Sequence, residues 1–251
     1  MNIKEEEEIK KEFQLERVVL FSDAVFAIII TIMVLEIKLP AGMRHASPEK
    51  VEEAFKELIP KLLGYILAFF ITGMFWLKHL KIFSFLKDYT KQLIIYNLVF
   101  LFFISLFPFS VSVMTEVVSP NNYEGFYIYL TVVMFALFAQ TLLTGYLVRN
   151  AQALCINPGQ IKINLEWKAQ KFNLIAIPVL VCYTLLGFYF KFDHKIFSYG
   201  FAIWALGFTF IRKRLNPTPQ KDGPFISRLF KSRRRKPIKR VAAAAKPQQA
   251  D

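Results

Sequence analysis

ERVVLFSDAVFAIIITIMVLEIKLP, residues 16–40, opens the first long apolar run of the chain, and the acid Asp23 sits within it. Asp23 follows Ser22 directly and stands six residues after Arg17. A run of about 20 mostly apolar residues is long enough to cross the hydrocarbon core of a bilayer. A carboxylate within such a span costs about 2.5–3.5 kcal/mol on insertion scales, so acids there carry a specific task and a specific partner. The reading of this stretch sets the two questions for the rest of the chain: how many more spans follow, and what Asp23 meets.

The wider composition agrees with a membrane protein. Hydrophobic residues make up 55% of the 251, with 27 Phe among them, and the mean hydropathy is +0.37. The formal net charge is nevertheless +13. A chain both greasy and basic predicts apolar spans joined by basic segments. Twelve Lys and Arg crowd between Arg212 and Arg240, opposed by Asp222 alone. The opening residues carry EEEE instead of a short basic segment, and no small-residue cleavage site follows the first run, which argues against a cleaved signal peptide. The two cysteines, Cys155 and Cys182, imply no disulfide framework.

Apolar runs at 18–39, 58–77, 92–116, 124–148, 172–190 and 196–212 predict an all-α integral membrane protein with six transmembrane helices. The fifth carries Pro178, which a membrane helix tolerates when its neighbours satisfy the freed carbonyl. Lys and Arg in short loops mark the cytoplasmic side. The loop after the second span holds Lys78, Lys81, Lys87 and Lys91, and that after the fourth holds Arg149, Lys162, Lys168 and Lys171. The loop after the third, TEVVSPNNYEGF, has neither Lys nor Arg, and Arg44 and Lys50 in the first outer loop face Glu49, Glu52, Glu53 and Glu57. Both termini are therefore expected in the cytoplasm of a multi-pass cell-membrane protein. The expected divisions are a cytoplasmic segment 1–16, a six-helix domain 17–214 and a basic, disordered tail 215–251. That tail resembles a nucleic-acid arm in charge alone. On a membrane protein it reads as a solvated segment near anionic lipid, at about 1 kcal/mol per basic residue close to the surface, with no nucleic acid as partner. Ser47 and Pro48 read as the N-cap and first position of an amphipathic lead-in to the second span.

On an ideal helix Ala24, Ile28, Thr31 and Leu35 fall within roughly 60° of one another, while Asp23 lies about 140° from Ile28. Asp23 therefore points away from that stripe, toward a neighbouring helix. In the second span Gly64, Ala68, Thr72 and Trp76 recur every four residues, a pattern that lets another helix come close. Trp76 and His79 share a face at the same depth as Asp23, and both an indole N–H and an imidazole can donate to a carboxylate. Arg17 is placed to balance the charge, and Asn97, early in the third span, to join. Taken singly, Trp76 fits an interfacial belt residue, His79 a loop histidine and Asn97 a helix–helix hydrogen bond; Asp23 has no such bland reading.

The residues Arg17, Phe21, Ser22 and Asp23 match an R-x-x-x-F-S-D signature, followed by Trp76-x-x-His79 and by NLVFLFFISLFPFS from Asn97 to Ser110. With these the chain resembles the transmembrane protein 175 family of potassium channels over about 15–215, in its form with one six-helix repeat. The resemblance implies a homotetramer around a central cation pathway lined by the first helix, with potassium as the permeant ion and no cofactor or metal site. It places an apolar constriction at Ile28, with Thr31 and Leu35 next on the same face, where a carbonyl filter would otherwise be. It assigns Arg17, Ser22, Asp23, Trp76, His79 and Asn97 to a polar network between helices. Many members follow the histidine with a second one; here the position is Leu80. Thr144, Gly145 and Tyr146 look superficially like a filter, but lie at the end of a span without a pore helix.

Selectivity for potassium over sodium is then expected to be modest, since no carbonyl ring replaces the hydration shell. The alternative is a secondary active ion or solute transporter, for which an internal repeat and paired broken helices are the signature; the chain shows neither. An enzyme needs converging nucleophile, acid and base, and a polar network accounts for Asp23, His79 and Asn97 with fewer assumptions.

Overall fold

The computed structural model describes residues 3–35, 37–38, 47–117, 124–190 and 193–215. Among these it is helical throughout, apart from short turns and one isolated backbone bridge between Leu86 and Cys155. The tail 216–251 and most of the two outer loops lie outside the described residues, and with them Arg44 and the core of the TEVVSPNNYEGF loop.

Helix α1 runs over Ile3–Leu35 and α2 over Pro48–Phe83. Their 33 and 36 residues correspond to about 50 and 54 Å at 1.5 Å per residue, well beyond a ~30 Å hydrocarbon core. Each therefore continues past the bilayer. The start of α1 is the Glu- and Lys-rich segment assigned above to a separate 1–16 region. Good helix formers without Gly or Pro give the chain no reason to stop there. Ser47 takes the N-cap place of α2 and Pro48 its first position, although the serine side chain makes no cap hydrogen bond.

The third apolar run is not one helix. It divides into α3, Lys91–Ser105, and α4, Phe107–Val117. Pro108 has no N–H to give the carbonyl of Ile104, and the turn tightens so that Leu106 donates to Phe103 at 3.3 Å. The ladder resumes where Ser110 donates to Leu106 at 2.9 Å. Helix α5 covers Glu124–Arg149, the single turns α6 and α7 cover Ala151–Leu154 and Ile161–Asn164, and α8 and α9 cover Trp167–Phe190 and His194–Leu215. Pro178 is carried inside α8 without a break.

Among the described residues five stretches are long and apolar enough to span: Ile9–Leu35, Pro48–Phe83, Lys91–Glu116, Glu124–Arg149 and Trp167–Phe190. The sixth expected span, α9, is 22 residues long but falls outside that set, because Lys195 and the Arg212, Lys213, Arg214 run dilute its apolar stretch. The proline-bearing fifth run qualifies and the sixth does not.

Three clusters of buried side chains hold the bundle. The largest joins α1 through Phe26, Ile29 and Met33 to Phe75 of α2, Phe100 of α3, Phe107 of α4 and Tyr129 of α5. A second closes the basic end, where Ile82, Leu93, Leu147, Leu154, Ile161 and Trp167 meet. There Thr90 caps α3 by accepting from Leu93 N at 3.2 Å, and its hydroxyl also lies 2.9 Å from that of Tyr146 on α5. A third, around Met134, Ile177 and Leu180, seats α8 and α9 against α5.

Candidate functional site: the two faces of the first helix

Ser22, Phe26, Ile29 and Met33 form the inward stripe of α1 and are buried. Asp23 is half-buried beside them. The indole Nε1–H of Trp76 donates to Asp23 Oδ1 at 2.9 Å, which ties α1 to α2. A second connection runs alongside. His79 Nε2 lies 2.8 Å from Asn97 Oδ1, Asn97 Nδ2 donates to Ser22 Oγ at 2.9 Å, and Ser22 Oγ donates to the Val18 carbonyl at 2.9 Å. Ser22 has given its only proton to the backbone, so it accepts from the amide, and the amide oxygen is left to accept from the imidazole. That makes Nε2 a protonated nitrogen of the His79 ring.

Five of the six expected network residues thus lie in two hydrogen-bonded sets, differently wired from the expectation. His79 donates to Asn97 and not to Asp23, and no single carboxylate gathers the donors. Arg17 is exposed and among the described residues forms no ion pair with Asp23. Six positions on one helix separate the two by about 120° and about 9 Å along the axis. Arg17 instead lines an open cavity of about 360 Å³ with Gln14, Val18, Phe21, Tyr89, Ile94, Asn97 and Leu98.

His79 is fully buried. Its ring stacks on Phe83 with centroids 4.3 Å apart and faces Phe100 at 5.7 Å. Its Nδ1 has no hydrogen-bond partner. Leu80, where a second histidine was considered, is half-buried.

The opposite face of α1 is bare. Ile28 is 55% exposed and Leu35 65%, with Ala24, Ala27 and Thr31 exposed between them. Thr31 Oγ1 donates back to its own helix, at 3.0 Å to the Ala27 carbonyl and 2.8 Å to that of Ile28. Its proton is committed, and the oxygen keeps its lone pairs for whatever stands outside. This face offers apolar side chains and one hydroxyl oxygen.

Sequence reasoning passed over two further connections. Gln140 on α5 donates to the Phe75 carbonyl of α2 at 3.3 Å; a lone amide inside a span is the signal that marks it. Glu166 accepts from Arg212 at 2.7 and 3.0 Å in a two-pronged pair. Burial raises the Glu166 carboxyl, but the Arg212 hydrogen bonds and charge, with Lys81 and Lys78, outweigh that and hold it below the usual glutamate range. Burial pushes the Cys155 thiol up to about 11, which leaves it protonated and unreactive near neutral pH. Among the described residues no group of three His, Cys, Asp or Glu is placed to hold a metal ion.

The model of a family described as endosomal/lysosomal potassium channel TMEM175 matches residues 17–108, the segment that carries both hydrogen-bonded sets. A Chryseobacterium protein named potassium channel is 41% identical over 88 residues, 35% of this chain and 42% of that protein. A Streptomyces collinus protein of the same name is 31% identical over 100 residues, 40% and 47% of the two chains. The chain thus spans less than half the length of these two curated relatives. The crystal structure of a lysosomal potassium-selective channel TMEM175 homolog from Chamaesiphon minutus has the same fold, with a TM-score of 0.58 at 19% identity, over 81% of this chain and 98% of that one. The signature, the helices that carry it and the fold around them agree: over residues 17–108 this multi-pass membrane protein is similar to the TMEM175 channels, and it shares their fold.

Proposed function

We propose that the chain is one subunit of a potassium-permeable cation channel with modest preference over sodium, and that its pathway runs along the exposed face of α1. The observation that carries this reading is the contrast across one helix. One face of α1 is fixed to α2 and α3 by hydrogen bonds and packing, while Ile28, Thr31 and Leu35 on another face are unpartnered in the protomer. A single copy with one such helix cannot enclose a pathway. Four copies about a central axis bring four stripes together. Ile28 then forms an apolar collar that gates by dewetting, and Thr31, about 4.5 Å further along, supplies oxygen ligands. Ser22, Asp23, Trp76, His79 and Asn97 keep the helix in register behind that collar, and Arg17 offsets the charge of Asp23 at longer range. The channel domain is 17–214, with the 1–16 segment, the tail 215–251 and both termini on the cytoplasmic side of the cell membrane, the tail near anionic lipid. Potassium is the permeant ion, and no cofactor takes part.

Reconstitution in a planar bilayer under bi-ionic potassium and sodium tests the reading. Wild type is expected to give single-channel steps with a reversal potential favouring potassium. Ile28→Asn is expected to enlarge the currents and move that potential toward zero. Saturable flux with strict ion coupling and no steps would instead indicate a transporter.

A further inference from the structure

At the basic end of the bundle, charged side chains from three separate parts of the chain converge. Arg212 near the end of α9 forks onto Glu166, just ahead of α8. The charges of Lys78 and Lys81, in the last turns of α2, bear on the same carboxylate. Three basic side chains stand against one carboxylate, a formal surplus of +2. Glu166 itself has φ of 52°, a left-handed conformation that is strained for a residue with a Cβ. The backbone is thus held where its carboxylate meets α9, and Arg212 is committed to it. Both lysines are exposed and take no part in the fork.

The surface next to this cluster is apolar. Met74 and Leu77 lie about one turn back along α2 from the lysines, and Leu206 and Phe210 precede Arg212 on α9; all four are exposed. A surface with surplus positive charge at its edge and bare hydrocarbon beyond fits an amphiphile better than a free ion. We propose that Lys78 and Lys81, beside the Glu166–Arg212 fork, bind the phosphodiester of an anionic phospholipid whose chains lie against α2 and α9. The site belongs to the described helices and is distinct from any lipid contact of the tail. It rests on the membrane location of the chain and not on ion conduction, so failure of the channel reading leaves it standing.

The test uses the full chain in dodecyl maltoside micelles, with lipid binding followed by native mass spectrometry and by the thermal midpoint. The probes are palmitoyl-oleoyl phosphatidylglycerol, the matching phosphatidylcholine and inorganic phosphate. Phosphatidylglycerol is expected to bind wild type and raise its midpoint, and the other two to do so weakly. Lys78→Gln with Lys81→Gln is expected to lower phosphatidylglycerol affinity about thirtyfold, from about 1 kcal/mol per cation near a membrane surface. Lys50→Gln with Lys56→Gln, at the far end of α2, is expected to change it little. Glu166→Gln raises the cluster charge and is expected to strengthen binding, which keeps the test open if the double lysine variant fails to fold. Equal loss in both lysine pairs, equal effects of the two lipids, or an equal rise with inorganic phosphate would overturn the proposal.

Discussion

One face of α1 buries Ser22, Phe26, Ile29 and Met33; another leaves Ala24, Ile28, Thr31 and Leu35 open. Neighbouring positions in one continuous helix therefore answer to different constraints. Ile28 and Ile29 are the same residue about 100° apart. Ile29 is 4% exposed and part of the protomer core, whereas Ile28 contributes little to the packing of a single copy. A change at Ile29 therefore probes the protomer core, whereas the same change at Ile28 does not. The comparison teaches that the inner face is committed to the core of the protomer, whereas the outer face is not.

The sharpest way to break this contrast is to place the same amide at both positions. Ile29→Asn removes buried apolar contact and buries an unpartnered amide, with an expected cost of about 3–5 kcal/mol. Ile28→Asn is expected to leave the protomer's thermal midpoint nearly unchanged and to shift the reversal potential. If Ile28→Asn destabilises as much as Ile29→Asn, the two faces are not separate.

A smaller effect is expected where the inner face meets α2. Trp76→Phe keeps an aromatic but smaller side chain and removes the donor to Asp23, a hydrogen bond to a carboxylate worth about 1.5–3 kcal/mol. Chemical denaturation of Trp76→Phe, Asp23→Asn and the double variant measures it. Additive losses would show that the pair is not coupled. Asn97→Leu interrupts the parallel connection and strands the His79 Nε2–H, at about 1–3 kcal/mol. Because the two sets share no atom, its loss should add to that of Trp76→Phe. Strong non-additivity would mean that they act as one network.

The smallest effect is expected at the other end of the chain, from Glu166→Gln. The pair with Arg212 is partly exposed, at 35% and 56% for the two side chains, and screening keeps such pairs within about 0–1 kcal/mol. Its pH dependence is nevertheless distinctive. A carboxyl held below its unfolded range contributes stability above the ordinary glutamate range and loses it as pH falls through the lowered folded value. Wild type and Glu166→Gln should therefore converge in acid and separate toward neutral pH. A constant gap across that window would assign the difference to packing.

Much of this was legible in the sequence, for identifiable reasons. A carboxylate in an apolar run demands a partner, and 100° per residue separates Asp23 from the Ile28 stripe before any coordinates are known. The wiring was less accessible, because donor choice depends on side-chain reach across helices. His79 and Trp76 sit at one depth, yet Asn97 takes the imidazole and Asp23 the indole. Arg17 illustrates the same limit, since closeness in sequence suggested a pairing that helix geometry does not allow. The Leu106 break followed from Pro108, whose effect is easily missed when hydropathy is averaged along a run. The Glu166–Arg212 pair joins positions 46 apart, and no local pattern reports it.

Helix α5 carries a consequence for how the protein tolerates change. It packs against α3, α4 and α8, and half of its apolar stretch is buried, against 22% for α1. Gly145 near its end leaves no space for a methyl group, since a Cβ there would lie 2.7 Å from the indole of Trp167. A saturation scan of expression should therefore find α1 permissive on a repeating stripe. Along α5, intolerance should extend nearly around the helix, so that this span, which carries none of the signature residues, accepts the fewest substitutions.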